Sequence, residues 1–194
     1  MIDRLFFVRH GQSTANKAHI YAGQRADIQL TDLGRQQAAA AADIVKPWDI
    51  TAIVSSDLDR ARETARIIAA GLGFAESQLR IDGLLREINP GTLTGQPENG
   101  FVSYLKYVAG GTDPTAETPD DVARRLERFL KEVAAMDGGH LLVVAHAGVG
   151  RIFQSLLTDV PLAELAEQSV VNAQPFELPL GRLHTILRNQ GEPV

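Results

Sequence analysis

The stretch LFFVRHGQSTAN, residues 5–16, decides how this chain folds, because an apolar run gives way at once to an arginine, a histidine and a glycine. Residues 4–9 combine aromatic, leucine and valine side chains over the length of a buried strand. Arg9 and His10 stand where this strand ends. A core strand that ends in two basic side chains indicates a sheet edge at which those side chains bind or react.

Two other apolar runs are followed by polar groups in the same way. Residues 50–54 lead into Ser55-Ser56-Asp57-Leu58-Asp59-Arg60, and residues 141–145 lead directly into His146. Helical patterns alternate with these strands. Residues 141–145 are apolar throughout, which is typical of a parallel strand covered on both faces. The sequence therefore predicts an α/β fold, a three-layer α/β/α sandwich with a mostly parallel central sheet.

The predicted elements fill a chain of 194 residues, a length that suits one domain over residues 1–194. Helices are predicted over residues 32–45, 57–72, 101–108, 148–157 and 161–168, and another from Pro119. Two C-terminal strands are predicted at residues 170–178 and 182–187. Residues 88–118 contain many glycines and prolines, which predicts a lid-like insertion built as a loop around one short helix.

Composition argues against several classes of function. A net charge of −5 without a basic cluster argues against nucleic acid as a partner. No apolar run has the length of a membrane span, and the N-terminus does not resemble a signal peptide, so we expect a cytoplasmic protein with no membrane partner. The chain has no cysteine, which excludes disulfides, thiolate metal ligands and a cysteine nucleophile.

Polar groups at three strand ends are expected to meet. The carboxyl ends of parallel strands form one edge of the sheet, so Arg9, His10, Arg60 and His146 should gather there. Two arginines and two histidines repel one another unless an anion neutralises them. A phosphoryl group fits this requirement, because guanidinium groups match its oxygens. Each residue taken alone has a plain structural explanation, and the prediction of a phosphate pocket depends on their coincidence.

Five motifs stand in order along the chain: VRHGQSTAN (residues 8–16), LTDLGRQQA (30–38), SSDLDRARETA (55–65), LLREINPGTLTG (84–95) and VVAHAGVGR (143–151). Together they resemble the histidine phosphatase superfamily, also called phosphoglycerate mutase-like. The resemblance implies that family's α/β sandwich. It also implies a metal-independent phosphatase that hydrolyses small phosphorylated metabolites through a phosphohistidine, with no cofactor and no metal.

The resemblance assigns a role to each matching residue. It implies that His10 is the nucleophile and that Glu87 donates a proton to the leaving group. The groups that would hold the phosphoryl oxygens are Arg9, His10, Asn16, Arg60, His146 and the backbone N–H of Ala147. Further candidates for contacts with the substrate are Gln24, Tyr104, Tyr107 and Glu117. A neutral imidazole is a competent nucleophile near pH 7, which agrees with the role of His10.

Several alternatives stay open from the sequence. Residues 88–123 hold no arginine and one lysine, Lys106, which favours a phosphatase over a 2,3-bisphosphoglycerate-dependent phosphoglycerate mutase, because a mutase must retain a doubly anionic ligand. A serine hydrolase would use Ser13 as nucleophile and His146 as base. A non-catalytic regulatory protein would only bind phosphate. A homodimer is also open, since the C-terminal strands could pair between two copies.

Overall fold

A computed structural model describes residues 1–158 and 160–188, so Asp159 and the last part of the predicted domain, residues 189–194, lie outside the description. Its sheet has five strands: β1 (Arg4–Arg9), β2 (Ile50–Ser55), β3 (Leu79–Ile81), β4 (His140–Ala145) and β5 (Phe176–Leu178). The strand order is β3-β2-β4-β1-β5, and only β5 runs antiparallel to its neighbour. The predicted mostly parallel α/β fold is confirmed.

Helices connect and cover the strands. They are α1 (Thr14–Ala18), α2 (Asp32–Val45), α3 (Asp59–Leu72), α4 (Phe101–Ala109), α5 (Pro119–Ala134), α6 (Ala147–Leu157), α7 (Leu162–Leu165) and α8 (Leu183–Arg188). Side-chain hydrogen bonds to free backbone N–H groups explain where two of these helices begin. The Thr31 hydroxyl accepts a hydrogen bond from the Gly34 N–H at α2, and Thr118 forms a capping box with Asp121 at α5, where Pro119 is the first helical residue.

Alternate residues of the central strands build two cores. Leu5 and Phe7 of β1 point to the face covered by α5, α6 and α8, where they join a cluster with Phe129 and Phe153. Their neighbour Phe6 points to the face covered by α2 and α3. Burial of both faces gives the three layers and explains why β1 and β4 read as continuous apolar runs.

The C-terminal strand prediction is partly wrong. Residues 183–188 form helix α8, and not the strand predicted at 182–187, because Leu183 and Ile186 are buried at helical spacing. Of the strand predicted at 170–178, only β5 forms. Residues 170–173 instead lie beside the end of β1, where the Ala173 N–H donates to the Arg9 carbonyl oxygen at 2.8 Å.

Further differences concern short elements. The helix predicted over 161–168 forms only as α7, and the helix predicted from Asp57 begins at Asp59. Strand β3 and helix α1 were not predicted. With three and five residues, they are too short to show a periodic pattern.

The loop after β1 packs backbone to backbone against the start of α2. A β-carbon added to Gly11 would lie 2.2 Å from the Gly34 carbonyl oxygen, and one added to Gly34 would lie 2.1 Å from the Gln12 carbonyl oxygen. Both glycines are therefore required by close approach, and this contact fixes the backbone that follows His10.

None of the helices in the described ranges 1–158 and 160–188 combines the length and apolar character that a membrane crossing needs.

We expect Gly34→Ala to lower the free energy of unfolding by about 1–3 kcal/mol, because the added methyl group forces two backbones apart. Gly83→Ala is the matched control, since its β-carbon would meet no atom closer than 3.9 Å, and we expect a change below about 1 kcal/mol. Urea unfolding of both variants measures the difference. Equal stability of the two variants would contradict the close approach.

Candidate active site

An open cavity of about 150 Å³ lies at the carboxyl ends of β1, β2 and β4. Seven residues predicted for the site line it: Arg9, His10, Asn16, Arg60, Glu87, Tyr104 and Ala147. The four other predicted residues, Gln24, Tyr107, Glu117 and His146, are not part of the lining. The structure thus brings together groups from three strand ends that are far apart in the sequence.

His10 is buried and held in one tautomer. Its Nδ1 lies 2.7 Å from the Gly11 carbonyl oxygen. A carbonyl oxygen only accepts, so Nδ1 carries the proton and Nε2 keeps its lone pair. Burial lowers the pKa of His10 well below its ordinary value, and the charges of Arg60 and Arg9 lower it further. The imidazole is therefore neutral at pH 7, as a nucleophile requires.

His146 lies beside His10 and not in the cavity wall. The centres of the two rings are 5.2 Å apart, and His146 is fully buried at the start of α6. Its Nε2 is 2.9 Å from the Ser56 hydroxyl, whereas its Nδ1 has no partner in the described part of the chain. Burial, together with the charge of Arg60, lowers the pKa of His146 well below its ordinary value. Nδ1 is thus a buried ring nitrogen whose hydrogen-bonding capacity is unused in the described part of the chain.

Two arginines carry charge into the site. Arg9 donates from Nη1 to the Val170 carbonyl oxygen at 2.8 Å, and Arg60 donates from Nη2 to the Gly23 carbonyl oxygen at 2.7 Å. Neither forms an ion pair with any described carboxylate. Burial lowers the pKa of Arg60 to about 10, so it remains charged at pH 7. Two oriented cations that lack a direct ion-pair partner attract an anion, even though the charge of Glu87 acts on both.

The carboxamide of Asn16 is oriented by the capping of α1. Its Oδ1 accepts hydrogen bonds from the Ser13 N–H and hydroxyl at 3.1 and 3.0 Å and from Asn172 at 3.3 Å. Because the oxygen is occupied, the amide nitrogen is the end that is left for a ligand in the cavity.

Glu87 has its carboxylate against the start of α6. Its Oε1 accepts the Ile88 N–H at 2.9 Å, and a β-carbon on Gly148 would lie 2.7 Å from Oε1, so glycine permits the approach. The neighbouring Arg86 forms its ion pair with Asp57 and not with Glu87. The Glu87 carboxylate is therefore part of the cavity wall and free of a surface salt bridge.

Gln24 and Glu117 support the loop that carries Glu87. The Gln24 amide donates to the Glu87 carbonyl oxygen at 3.0 Å and to a Glu117 carboxylate oxygen at 3.1 Å. Arg125 is the ion-pair partner of Glu117 and also donates to the Glu87 carbonyl oxygen at 3.3 Å. These contacts place both predicted substrate residues outside the wall, in positions that orient Glu87.

The two tyrosines of α4 differ in position. Tyr104 lines the cavity, and its hydroxyl donates to the Glu117 carbonyl oxygen. Burial raises the pKa of Tyr104, so it stays protonated. Tyr107 is not part of the cavity wall. Its hydroxyl donates to Asp113 at 2.6 Å, and this hydrogen bond holds the 88–118 segment together.

Two charged residues of the cavity wall, Arg151 and Glu98, were not predicted as site residues. Arg151 stands four positions after Ala147 in α6, and this helical spacing on the same face was a usable signal. Glu98 lies in a loop, where no periodic pattern indicates the direction of a side chain.

The serine hydrolase alternative is contradicted by the surroundings of Ser13. This serine is fully buried as the N-cap of α1, and its hydroxyl donates to Asn16 Oδ1 at 3.0 Å. His146 is hydrogen-bonded to Ser56 instead. Ser13 therefore has neither the exposure nor the base that a serine nucleophile needs.

Within the described residues, no group of three or more histidine, aspartate or glutamate side chains is placed so that it could hold a metal ion.

We expect both site histidines to stay neutral until the pH falls well below 6.5. The unfolded chain takes up these protons near pH 6.5, so the free energy of unfolding should fall as the pH decreases from there through the native pKa values. NMR titration of the imidazole nitrogens measures this, with the urea-unfolded protein as control. A doubly protonated His10 at pH 6.5 in the native protein would contradict the site electrostatics.

Comparisons with known proteins agree with this geometry. The model of the histidine phosphatase superfamily (branch 1) matches residues 5–182. A protein of Hydrogenobacter thermophilus, provisionally assigned as phosphoserine phosphatase 2, is 33% identical over 185 residues, which cover 91% of this chain and 89% of that protein. A protein of Yersinia pestis, provisionally assigned as phosphoglycerate mutase GpmB, is 32% identical over 164 residues, which cover 79% and 74%.

A solved structure supports the same relationship. It is a mycobacterial glucosyl-3-phosphoglycerate phosphatase in complex with VO3, which is 29% identical to this chain with a TM-score of 0.74. The match covers 90% of this chain and 91% of that structure. With a family model that spans most of its length, the chain belongs to the histidine phosphatase superfamily.

Proposed function

We propose that this protein hydrolyses small phosphorylated metabolites through a phosphohistidine on His10. The proposal rests on the position of this histidine: its Nδ1 lies 2.7 Å from the Gly11 carbonyl oxygen, which can only accept, so the neutral imidazole presents an unprotonated Nε2. Two arginines without counterions lie in the same cavity. A neutral nucleophile beside oriented cations suits phosphoryl transfer, which depends mainly on positioning and on charge stabilisation.

The proposed reaction has two steps. In the first, His10 Nε2 forms a bond to phosphorus while the bond to the leaving oxygen breaks, and the protonated Glu87 gives its proton to that oxygen. In the second, the Glu87 carboxylate takes a proton from water, the water oxygen bonds to phosphorus, and the bond from phosphorus to Nε2 breaks. Inorganic phosphate leaves, and both side chains return to their initial states.

The other groups of the site hold the phosphoryl oxygens. Arg9 and Arg60 supply charge, the Asn16 amide nitrogen donates, and the unpartnered Nδ1 of His146 faces no competitor in the described residues. The backbone N–H of Ala147 adds a donor at the start of α6, where the helix favours an anion. The mycobacterial relative was solved in complex with VO3, an oxyanion, which is consistent with an oxyanion-binding site in this fold.

The 88–118 segment contributes six wall residues: Ile88, Pro90, Glu98, Gly100, Phe101 and Tyr104. Asp113 fastens it internally through Thr92, Tyr107 and Thr115. These hydrogen bonds lower the pKa of Asp113 below its ordinary range. We assign the segment as a lid-like insertion in one histidine phosphatase domain over residues 1–194.

A cytoplasmic location and a homodimer stay predictions from the sequence.

A phosphoglycerate mutase is the second candidate, and one observation favours it. Residues 88–123 contain no arginine that could bind a second anionic group. Arg151 supplies a third guanidinium to the cavity from α6, outside that stretch. The relative of Yersinia pestis bears a mutase name. A mutase assay with and without 2,3-bisphosphoglycerate distinguishes the two activities.

We expect His10→Ala to reduce turnover of phosphomonoesters by a factor of at least about 10³, because no other group forms the covalent intermediate. The exposed His184 provides the matched control, His184→Ala, with near wild-type turnover. Rapid quenching with labelled substrate should trap acid-labile phosphate on the wild-type protein only. Equal trapping on a folded His10→Ala protein would exclude His10 as the nucleophile.

We expect Glu87→Gln to lower kcat/KM for alkyl phosphates by about 10²–10⁴, since an alkoxide leaves poorly without a proton. The loss for p-nitrophenyl phosphate should be much smaller, because its leaving group is already acidic. The exposed Glu164 gives the control Glu164→Gln. Equal losses on both substrates would rule out Glu87 as the proton donor.

A further inference from the structure

Ser56 is a fully buried serine that is not part of the cavity lining. It follows the last residue of β2, and its backbone N–H donates to the Val144 carbonyl oxygen at 3.0 Å. Its own carbonyl oxygen accepts a hydrogen bond from the Ser55 hydroxyl at 2.9 Å. The backbone of Ser56 is therefore held on both sides. The proposed phosphoryl transfer gives its side chain no role.

The Ser56 hydroxyl has two partners in the described part of the chain. Its oxygen accepts the Leu58 N–H at 3.3 Å, directly before α3, the helix that carries Arg60. The same oxygen lies 2.9 Å from Nε2 of His146, the residue that precedes α6. One hydroxyl thus connects the end of β2 with the beginnings of two helices that border the cavity.

The protons of this contact decide its direction. His146 is neutral, because burial and the charge of Arg60 lower its pKa, so its ring has one N–H and one bare nitrogen. If Nε2 carried the proton, it would donate to Ser56 together with the Leu58 N–H. The serine proton would then have no acceptor within residues 1–158 and 160–188. An unpaired buried donor is costly, so the hydroxyl donates to Nε2, and the proton of His146 resides on Nδ1.

The resulting Nδ1–H of His146 has no acceptor among the described residues. Its ring lies 5.2 Å from the ring of His10, whose Nε2 is the proposed nucleophile. A phosphoryl group bound to His10 brings unprotonated oxygens, which accept hydrogen bonds. The opposite tautomer of His146 would present a lone pair to these oxygens, and the two would repel each other. Only the tautomer with the proton on Nδ1 therefore suits the proposed reaction.

Given the proposed phosphoryl transfer, on which this inference rests, we propose that Ser56 is a positioning residue that sets the tautomer of His146. The Ser56 hydroxyl donates to Nε2 and keeps the proton on Nδ1, and Nδ1–H donates to a phosphoryl oxygen. This role differs from that of Glu87, because it acts on the phosphoryl group and not on the leaving group.

The tautomer is measured directly by long-range ¹H–¹⁵N NMR of the imidazole nitrogens above neutral pH. The signals of His146 are those that disappear in His146→Gln. We expect the proton on Nδ1 in the wild-type protein and at least a partial shift to Nε2 in Ser56→Ala. Ser55→Ala is the matched control, because Ser55 is equally buried and its hydroxyl contacts a carbonyl oxygen and not the imidazole. A wild-type proton on Nε2, or one tautomer population in all three proteins, would overturn the proposal.

Kinetics connect the tautomer with the reaction. Ser56→Ala should lower kcat/KM by about 10- to 100-fold, as for a lost hydrogen bond to a charged group, and by the same factor for alkyl phosphates and p-nitrophenyl phosphate. Ser56→Thr keeps the hydroxyl and should restore most of the rate, and Ser55→Ala should stay near wild type. Thermal melting confirms that each variant is folded. A loss confined to alkyl phosphates would overturn the proposal.

The failure of the proposed function gives a different result. If no ester is hydrolysed, including p-nitrophenyl phosphate, the phosphatase proposal fails, whereas the tautomer and the binding of inorganic phosphate are still measurable. A calorimetric Kd for inorganic phosphate that rises about tenfold or more in Ser56→Ala, and not in Ser55→Ala, supports the role of Ser56. Equal Kd values for the wild-type protein and both variants reject it.

Discussion

The site depends on one physical constraint: the buried Arg60 and the half-buried Arg9 line one cavity with His10, next to His146, and no described carboxylate forms an ion pair with either arginine. Burial and the charges of the arginines lower the pKa values of both histidines, and the histidines therefore stay neutral. Neutral His10 is thereby kept as a nucleophile, and the positive charge is left for a ligand. Stability and chemistry thus follow from the same electrostatics, because a bound oxyanion supplies the missing counter-charge.

The fold around this constraint acts as a rigid frame. Backbone carbonyls of Gly23, Arg25 and Val170 orient the arginines, and the close approach of Gly11 and Gly34 fixes the turn after β1. The loop with Glu87 is held from behind by Gln24, Glu117 and Arg125. Few of these groups touch the cavity, yet they determine where the reacting atoms lie.

Much of this could be predicted from the sequence, because strand ends in parallel sheets meet at one edge. That rule places Arg9, His10 and Arg60 together without knowledge of any contact. The supporting roles of Gln24 and Glu117 could not be predicted, since they depend on hydrogen bonds between distant loops. Arg151 had a helical spacing signal, and Glu98 had none. The prediction of a strand at 182–187 was wrong because a stretch of six residues fits both the two-residue period of a strand and the 3.6-residue period of a helix. Only the packing of its side chains selects helix α8.

We expect one tetrahedral phosphoryl group to bind between His10 and the two arginines. A crystal structure of the protein with vanadate should therefore show vanadium at bonding distance from His10 Nε2, with its oxygens on Arg9, Arg60 and His146 Nδ1. An oxyanion bound elsewhere, or a His10 whose Nε2 points away from it, would refute this binding mode.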